Sequence, residues 1–510
     1  MKTSQNKPGI VIAGLLLAIL MASMDNTIVA TAMGTIVGQL GGLDKFVWVT
    51  SAYMVAEMAG MPIFGKLSDM YGRKRFFVFG ILVFMLGSVL CGTAESIVQL
   101  SIYRAIQGIG GGALIPITFT IMFDAVSPEN RGKLSGLFGA VFGMSSIFGP
   151  LLGAYLTDYV KWEWIFYINL PIGLIAFFLI AFYYKESHSH SKQPIDWGGA
   201  ATLVGAIVCL MFAMELGGKQ YAWGSAQILG LFTGFVVLSL LFLYIETRVV
   251  EPIISFRMFR NRLYASSNAI GMLGGAAFIT ASMYIPIFIQ GVLGGSATNS
   301  GLVLLPMMLG SVVTATAGGI LLNKWSFRAI MMPTLLILVV GIALLTTITQ
   351  DSSRLTITIY MILIGLGIGA SFSVLSNAAI HSFSIRQRGA ASSTLNFLRS
   401  LGMTLGITIF GIIQSHSMTR NLTNAFGGEN TAPQGLSFSD PHALLDPATR
   451  AQFPEQVLGM ITGGLSSSIA ITFAWGLIPA ILAFVASLLM GKEKMNPTAE
   501  AEAEGFAASH

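Results

Sequence analysis

The chain has 510 residues, of which 54% are hydrophobic and only 10% charged, with a formal net charge of +5. Soluble domains carry about 25% charged residues, so a set of soluble domains is excluded and the composition reads as a polytopic membrane protein. The positive charge does not indicate a nucleic-acid partner, because the basic residues stand in ones to fours between long apolar runs instead of on one surface.

A helix that crosses a bilayer needs about 20 mostly apolar residues. That length places spans at 10–33, 46–65, 76–94, 98–123, 134–157, 164–184, 197–217, 226–246, 263–292, 300–322, 328–349, 355–381, 390–413 and 467–490, fourteen in all. Helices are predicted because lipid offers no partner to an open strand edge, and the runs lack the alternation of a barrel. Lys2 and Lys7 precede the first run and Ala30-Thr31-Ala32 has the look of a cleavage site, but Asp25 interrupts the run, so the first span is expected to be retained. Cys91 and Cys209 both lie in apolar stretches, which leaves no disulfide framework or thiolate metal site.

Sorting the charges tests the count, since Lys and Arg concentrate in cytoplasmic loops. With the N-terminus inside, twenty of the 28 basic residues fall in inner segments and six in outer ones, while Arg104 and Arg399 fall within spans. A miscounted helix would scramble that asymmetry downstream, so it predicts fourteen spans with cytoplasmic termini. An internal repeat at an offset of 257 lays Ile102–Ala113 over Ile359–Ala370, Arg131-Gly132 over Arg388-Gly389, Ser135 over Ser392 and Gly149 over Gly406. The predicted fold is therefore all-α, with two six-helix halves and two inserted helices. The expected domains are a first half at 1–184, a linker pair at 185–262, a second half at 263–490 with an outer loop at 414–466, and a cytoplasmic tail at 491–510. Binding at a repeat interface is how many secondary transporters are built.

Ionisable residues within a span are costly and point to function. Asp25, about 15 residues into span 1, and Arg104, about six into span 4, both fall roughly 8 Å below the outer face at about 1.5 Å per residue. Glu57 falls near mid-depth, one turn from Tyr53 on the same helix face. Burial raises a carboxylate's pKa and a neighbouring arginine lowers it, so Asp25 is a candidate to exchange a proton against a cationic substrate. A static hydrogen-bonded carboxylate is the alternative, and the same alternative applies to Glu57. The glycines Gly108, Gly110 and Gly112 let helices touch backbone to backbone. They are not a phosphate loop, because no Lys-Ser/Thr follows, and the absence of a Walker pattern points to an ion gradient as the energy source.

After span 2 the chain reads Gly65-Lys66-Leu67-Ser68-Asp69-Met70-Tyr71-Gly72-Arg73-Lys74-Arg75, expected as a loop in which Asp69 and the basic run form a charged latch, or as an ordinary positive-inside loop. This stretch matches throughout the signature loop G-x-L-x-D-x-x-G-R-[KR]-[KR] of the major facilitator superfamily, which the chain resembles. Further matches resemble its 14-span drug:proton antiporter branch, and in particular Bacillus-type multidrug resistance exporters. They are Leu100–Gly108 with Arg104 and Gln107 in span 4, Met24-Asp25-Asn26-Thr27-Ile28-Val29 in span 1, and Trp162–Pro171 at the entry to span 6. In span 5 the antiporter string appears as Gly136, Ser145, Gly149, Pro150, Gly153 and Ala154, with Ser145 and Ala154 in place of two glycines.

The resemblance implies a proton-coupled exporter of amphipathic, often cationic compounds, working by rocking of the two halves. Asp25, Asn26, Tyr53, Glu57, Arg104 and Arg399 are then the residues for proton coupling and substrate, with Arg399 also readable as purely structural. Gly65, Asp69, Gly72, Arg73, Lys74 and Asp124 form the conformational latch, and Gly136, Gly149, Pro150 and Gly153 the hinge, or simple packing. The implied partners are small amphipathic or cationic molecules, protons and the lipid bilayer, and a monomer in the bacterial plasma membrane is expected. No cofactor or metal is implied, since His188-Ser189-His190 lacks carboxylate or thiol partners. A membrane enzyme is disfavoured by the lack of His-Glu-x-x-His and Gly-x-Ser-x-Gly. An uptake carrier for a metabolite is the alternative function.

Overall fold

The computed structural model describes residues 8–40, 47–126, 128–186, 195–218, 220–295, 297–322, 324–384, 387–426 and 454–495. Fifteen α-helices are present among them. They are α1 (Pro8–Leu40), α2 (Val47–Tyr71), α3 (Arg73–Gly92), α4 (Ile97–Ala125), α5 (Pro128–Tyr159), α6 (Trp164–Tyr167), α7 (Asn169–Tyr183), α8 (Trp197–Leu216) and α9 (Ala226–Glu246). The second part of the chain holds α10 (Arg262–Ile287), α11 (Ala297–Leu321), α12 (Phe327–Leu345), α13 (Arg354–His381), α14 (Arg388–Phe426) and α15 (Glu455–Leu489). The described residues form no strand beyond two isolated bridges, Gly217 with Tyr221 and Ser326 with Lys494. Twelve described helices are long and apolar enough to cross a membrane, judged by length and composition. Helices α2 and α5, of 25 and 32 residues, lie outside that set.

Local sequence explains many of the ends. Ser96, Asp196, Ser225 and Ser326 each accept a hydrogen bond from the backbone N–H three residues on, capping α4, α8, α9 and α12. Helix α10 contains Pro286, which cannot donate to the ladder, and the chain continues past it as a π turn over Phe288–Val292.

Several predicted boundaries move. The stretch expected as a loop after span 2 is mostly helix: α2 runs to Tyr71, and Gly72 alone, at φ 115°, separates it from α3. The outer loop expected at 414–466 is shorter, because α14 continues to Phe426 and α15 starts at Glu455. A ruler set to lipid thickness cannot see helix that projects beyond it. Here side chains hold the extension: Gln414 Nε2 donates to Ser468 Oγ at 3.3 Å and Asn421 Nδ2 to the Gly464 carbonyl at 3.4 Å. The remainder of that loop, and the histidines His188 and His190, lie outside the described residues.

The chain forms two compact units. One comprises the described residues of Met1–Ala265, Ser376–Phe397 and Met495–His510, and the other those of Ser266–Leu375 and Leu398–Lys494. In the first unit α4 packs against α2 and α3, and α1 against α5 and α7. The repeat read from the sequence is visible as equivalent glycine contacts. A Cβ on Gly108 or Gly112 would strike the backbone of α2, at Tyr53 and Glu57, and one on Gly110 the backbone of α3 at Phe84. In the second unit a Cβ on Gly365 or Gly369 would strike α11, at Met307 and Ser311, and one on Gly367 would strike α12 at Leu338. The same three-glycine comb thus seats two neighbouring helices in each half. Outward faces are apolar, as lipid contact requires, with Leu86, Ile102, Phe182 and Leu240 among the exposed large hydrophobics.

Candidate functional site

The polar centre of the first unit is assembled from five helices. Asp25 on α1 and Arg104 on α4 form an ion pair whose side chains are both fully buried. Asp25 also accepts from Gln107 Nε2 at 2.8 Å and from Asn169 Nδ2 at 3.0 Å. Arg104 donates further to Gln107 Oε1 at 2.6 Å, the Val49 carbonyl at 3.3 Å and Asn26 Oδ1 at 3.4 Å. Ser88 on α3 closes the network by accepting from Gln107 and Asn169. An isolated charge in such a place would cost several kcal/mol, and an ion pair persists there only with its remaining donors and acceptors satisfied. The network meets that condition for both charges.

Tyr53 and Glu57 border this pair. The Arg104 guanidinium lies 4.2 Å from the centre of the Tyr53 ring, a cation–π contact, and 5.9 Å from that of Phe166. Tyr53 Oη donates to Glu57 Oε1 at 3.5 Å, the outer limit for a hydrogen bond. Among the described residues, Asp25 therefore has strong donors from three side chains, while the Glu57 carboxylate, partly accessible, has one weak one. The structure brings Asp25, Asn26, Tyr53, Glu57 and Arg104 into one connected group.

The residues expected to form a latch make a second group at the other end of α2. Arg73 bridges two carboxylates, Asp69 at 3.1 Å and Asp124 in a close ion pair, and its backbone N–H donates to Glu186 at 2.6 Å. Asp69 accepts from the first backbone amides of α14, Gly389 N at 3.1 Å and Ala390 N at 2.9 Å. Gly389 permits this, since a Cβ there would strike the Asp69 carboxylate, and Gly65 likewise leaves room for Ser393. Gly72 supplies the positive φ that turns α2 into α3. Lys74 is partly exposed and joins no ion pair among the described residues. Asp69→Ala is expected to lower stability by about 0.5–2 kcal/mol, the usual worth of a helix N-cap, with Asp69→Asn recovering most of the loss. Thermal unfolding of the purified protein checks both.

On α5, Gly149 and Gly153 lie against α1, where a Cβ would meet Thr27, Ile28 and Thr31. Ser145, which replaces a glycine of the antiporter string, hydrogen-bonds Ser23 of α1 at 2.6 Å. Pro150 sits inside α5, and the surroundings of Gly136 lie outside the described side chains.

The family described as Major Facilitator Superfamily matches residues 15–407. The chain is 54% identical over 493 residues to Multidrug resistance protein 3 of Bacillus subtilis strain 168, covering 96% of each chain. It is 35% identical over 522 residues to the multidrug transporter protein MdtP of the same organism, covering 98% of this chain and 96% of that one. The chain belongs to the major facilitator superfamily. Among solved structures, the human organic anion transporter MFSD10 matches with a TM-score of 0.61 at 15% identity, over 94% of this chain and 100% of that one. The proton:xylose symporter XylE matches with a TM-score of 0.57 at 13% identity, over 95% of each. At those identities the two structures show the fold alone. This member of the superfamily is a multi-pass membrane transporter, not an enzyme.

In this superfamily member Arg399 belongs to the second unit. It donates to the Ser371 carbonyl at 3.3 Å and lies 5.1 Å from the Phe372 ring centre. Sequence reasoning placed no role on Ser88, Gly389 or Ala390. Asn169 and Gln107 did stand within motifs quoted for spans 6 and 4, which was the available signal. Ser88 had none, because a serine in an apolar span is commonplace. Gly389 and Ala390 act through backbone N–H groups, which no residue pattern reveals.

Proposed function

We propose that the protein is a proton-coupled multidrug antiporter. It exchanges inward-moving protons for amphipathic, often cationic compounds by alternating access, through fourteen spans with both termini cytoplasmic and the domain limits given above. The names of the two Bacillus relatives support the substrate class. The observation that carries the coupling is the unequal partnering of two neighbouring carboxylates. Glu57, with one weak donor, is the counter-charge for an arriving cation. Tyr53 links it to Arg104, so a positive substrate beside Glu57 repels the guanidinium and loosens its hold on Asp25. Once freed, Asp25 takes a proton from outside as substrate leaves, and returns it inside when Arg104 re-engages. A membrane potential supplies about 2.3 kcal/mol per charge per 100 mV, which drives export when more charge enters than leaves.

In liposomes with an inward proton gradient, Asp25→Asn is expected to stop uphill export of a cationic dye. Gradient-driven export at the normal rate would reject the assignment. Glu57→Gln is expected to weaken dye binding about tenfold, equivalent to about 1.4 kcal/mol, and to leave binding of an uncharged substrate unchanged.

A further inference from the structure

The two helices α8 and α9 are joined at their base by a second pair of carboxylates that the transport reading does not use. Asp196 caps α8, and its Oδ1 accepts from Gly199 N at 2.8 Å. Glu246 is the last residue of α9, and its two oxygens accept from Ile253 N at 3.2 Å and Ile254 N at 3.4 Å. Both residues are buried, at 8% and 5% exposure. Asp196 Oδ2 is buried with no hydrogen-bond partner among the described residues. It borders the same space beside Gly199 as Glu246: a Cβ built on Gly199 would touch both Asp196 Oδ2 and, at 3.0 Å, Glu246 Oε1.

Three of the four carboxylate oxygens therefore have an N–H donor, and the one that lacks a donor borders the same space beside Gly199 as a Glu246 oxygen. Two acceptors cannot satisfy each other, and two like charges so placed cannot both ionise cheaply. One proton resolves both difficulties. We propose that Asp196 and Glu246 form a proton-binding site in which the two carboxylates share one proton, clasping the start of α8 to the end of α9.

Among the described residues, the charged groups that share a cavity with Glu246 are Lys66 and Asp69 from α2, and Arg248, Glu251, Arg257 and Arg260 from the segment that follows α9. All of these and Glu246 line a cavity of about 1010 Å³, to which the described residues before α14 contribute Phe383, Ser384 and Gln387. Lys66 is bonded to Glu251 at 2.5 Å, five residues beyond Glu246 and three before Asp69. When the proton leaves, two neighbouring negative charges separate the helix ends, and the displacement of the segment carrying Glu251 reaches α2 beside the latch. The site thus reads the pH on that side of the membrane and acts on the latch. The clasp is present while the proton is held and is lost as pH rises.

The test is infrared difference spectroscopy of the full chain in lipid nanodiscs between acidic and alkaline buffer. The wild type should show a carboxylic-acid C=O band that disappears at high pH, and Asp196→Asn and Glu246→Gln should each lack it. Asparagine keeps the Gly199 cap and supplies a permanent donor to Glu246. At a fixed transmembrane pH difference, Asp196→Asn should therefore lose the fall of up to about tenfold per unit that follows the infrared band in the wild type, and keep only the pH dependence that proton exchange at Asp25 imposes. A band that survives in both variants overturns the proposal, as does a wild-type pH profile in Asp196→Asn. A response to sodium or potassium in place of pH would assign the pair to a metal cation and equally overturn it. The infrared result is independent of transport, so it stands or fails separately from the antiport reading.

Discussion

Arg104→Ala is expected to remove about 3–5 kcal/mol of stability and to abolish export, the largest effect of any single side chain in the first unit. The reason is what it leaves behind. Asp25 is fully buried, and breaking a buried pair costs about that much because the surviving charge has neither water nor a counter-ion. The Asp25 hydrogen bonds to Gln107 and Asn169 offset part of the cost but supply no net charge. The double variant Asp25→Asn with Arg104→Gln buries no charge. It is expected to recover most of the melting temperature while remaining unable to pump. Melting of the purified protein followed by tryptophan fluorescence, beside dye export, completes the cycle. Equal destabilisation in the single and double variants would show that the pair's role is packing and not charge compensation.

Gly108→Val and its repeat partner Gly365→Val are expected to have the next largest effects, each costing at least about 1–3 kcal/mol. A Cβ at Gly108 would collide with the Tyr53 carbonyl, and one at Gly365 with that of Met307. The obstacle is backbone in both cases, which no rotamer change relieves. Tyr53 also carries the cation–π contact to Arg104, so Gly108→Val should depress export more than its stability loss alone accounts for. Gly230 provides the contrast. It lies on the exposed helix α9, where an added methyl would meet nothing within 4 Å, so Gly230→Ala should be neutral or stabilise by up to about 1 kcal/mol through helix propensity. Destabilisation by Gly230→Ala as large as by Gly108→Val would refute the contact argument.

The pairing of Asp25 with Arg104 was partly legible in the sequence because charge is so scarce in it. Counting residues from opposite membrane faces puts both at one level, and the helical rise is fixed enough to make that count meaningful. Glu57 and Tyr53 are paired by one-turn spacing. Lateral placement is beyond reach, since periodicity says which depth a residue occupies but not which neighbour it faces. The unequal partnering of Asp25 and Glu57 therefore emerges only in three dimensions. The latch was legible as a motif but not as helix, because charge and glycine mark a turn in water and here decorate a helix held by Arg73 and by the α14 amides.

By itself the sequence determined that the chain lives in a bilayer, that it is helical, and that it repeats at an offset of 257 residues. These follow from how apolar each segment is and how long, which are properties of local composition that lipid enforces on every chain. The tertiary structure alone decided which donors Asp25 collects, that Asp69 reads backbone N–H groups far along the chain, and that Asp196 and Glu246 both border Gly199. Those contacts join residues separated by tens to hundreds of positions, and their energies depend on burial and direction, which only packing creates.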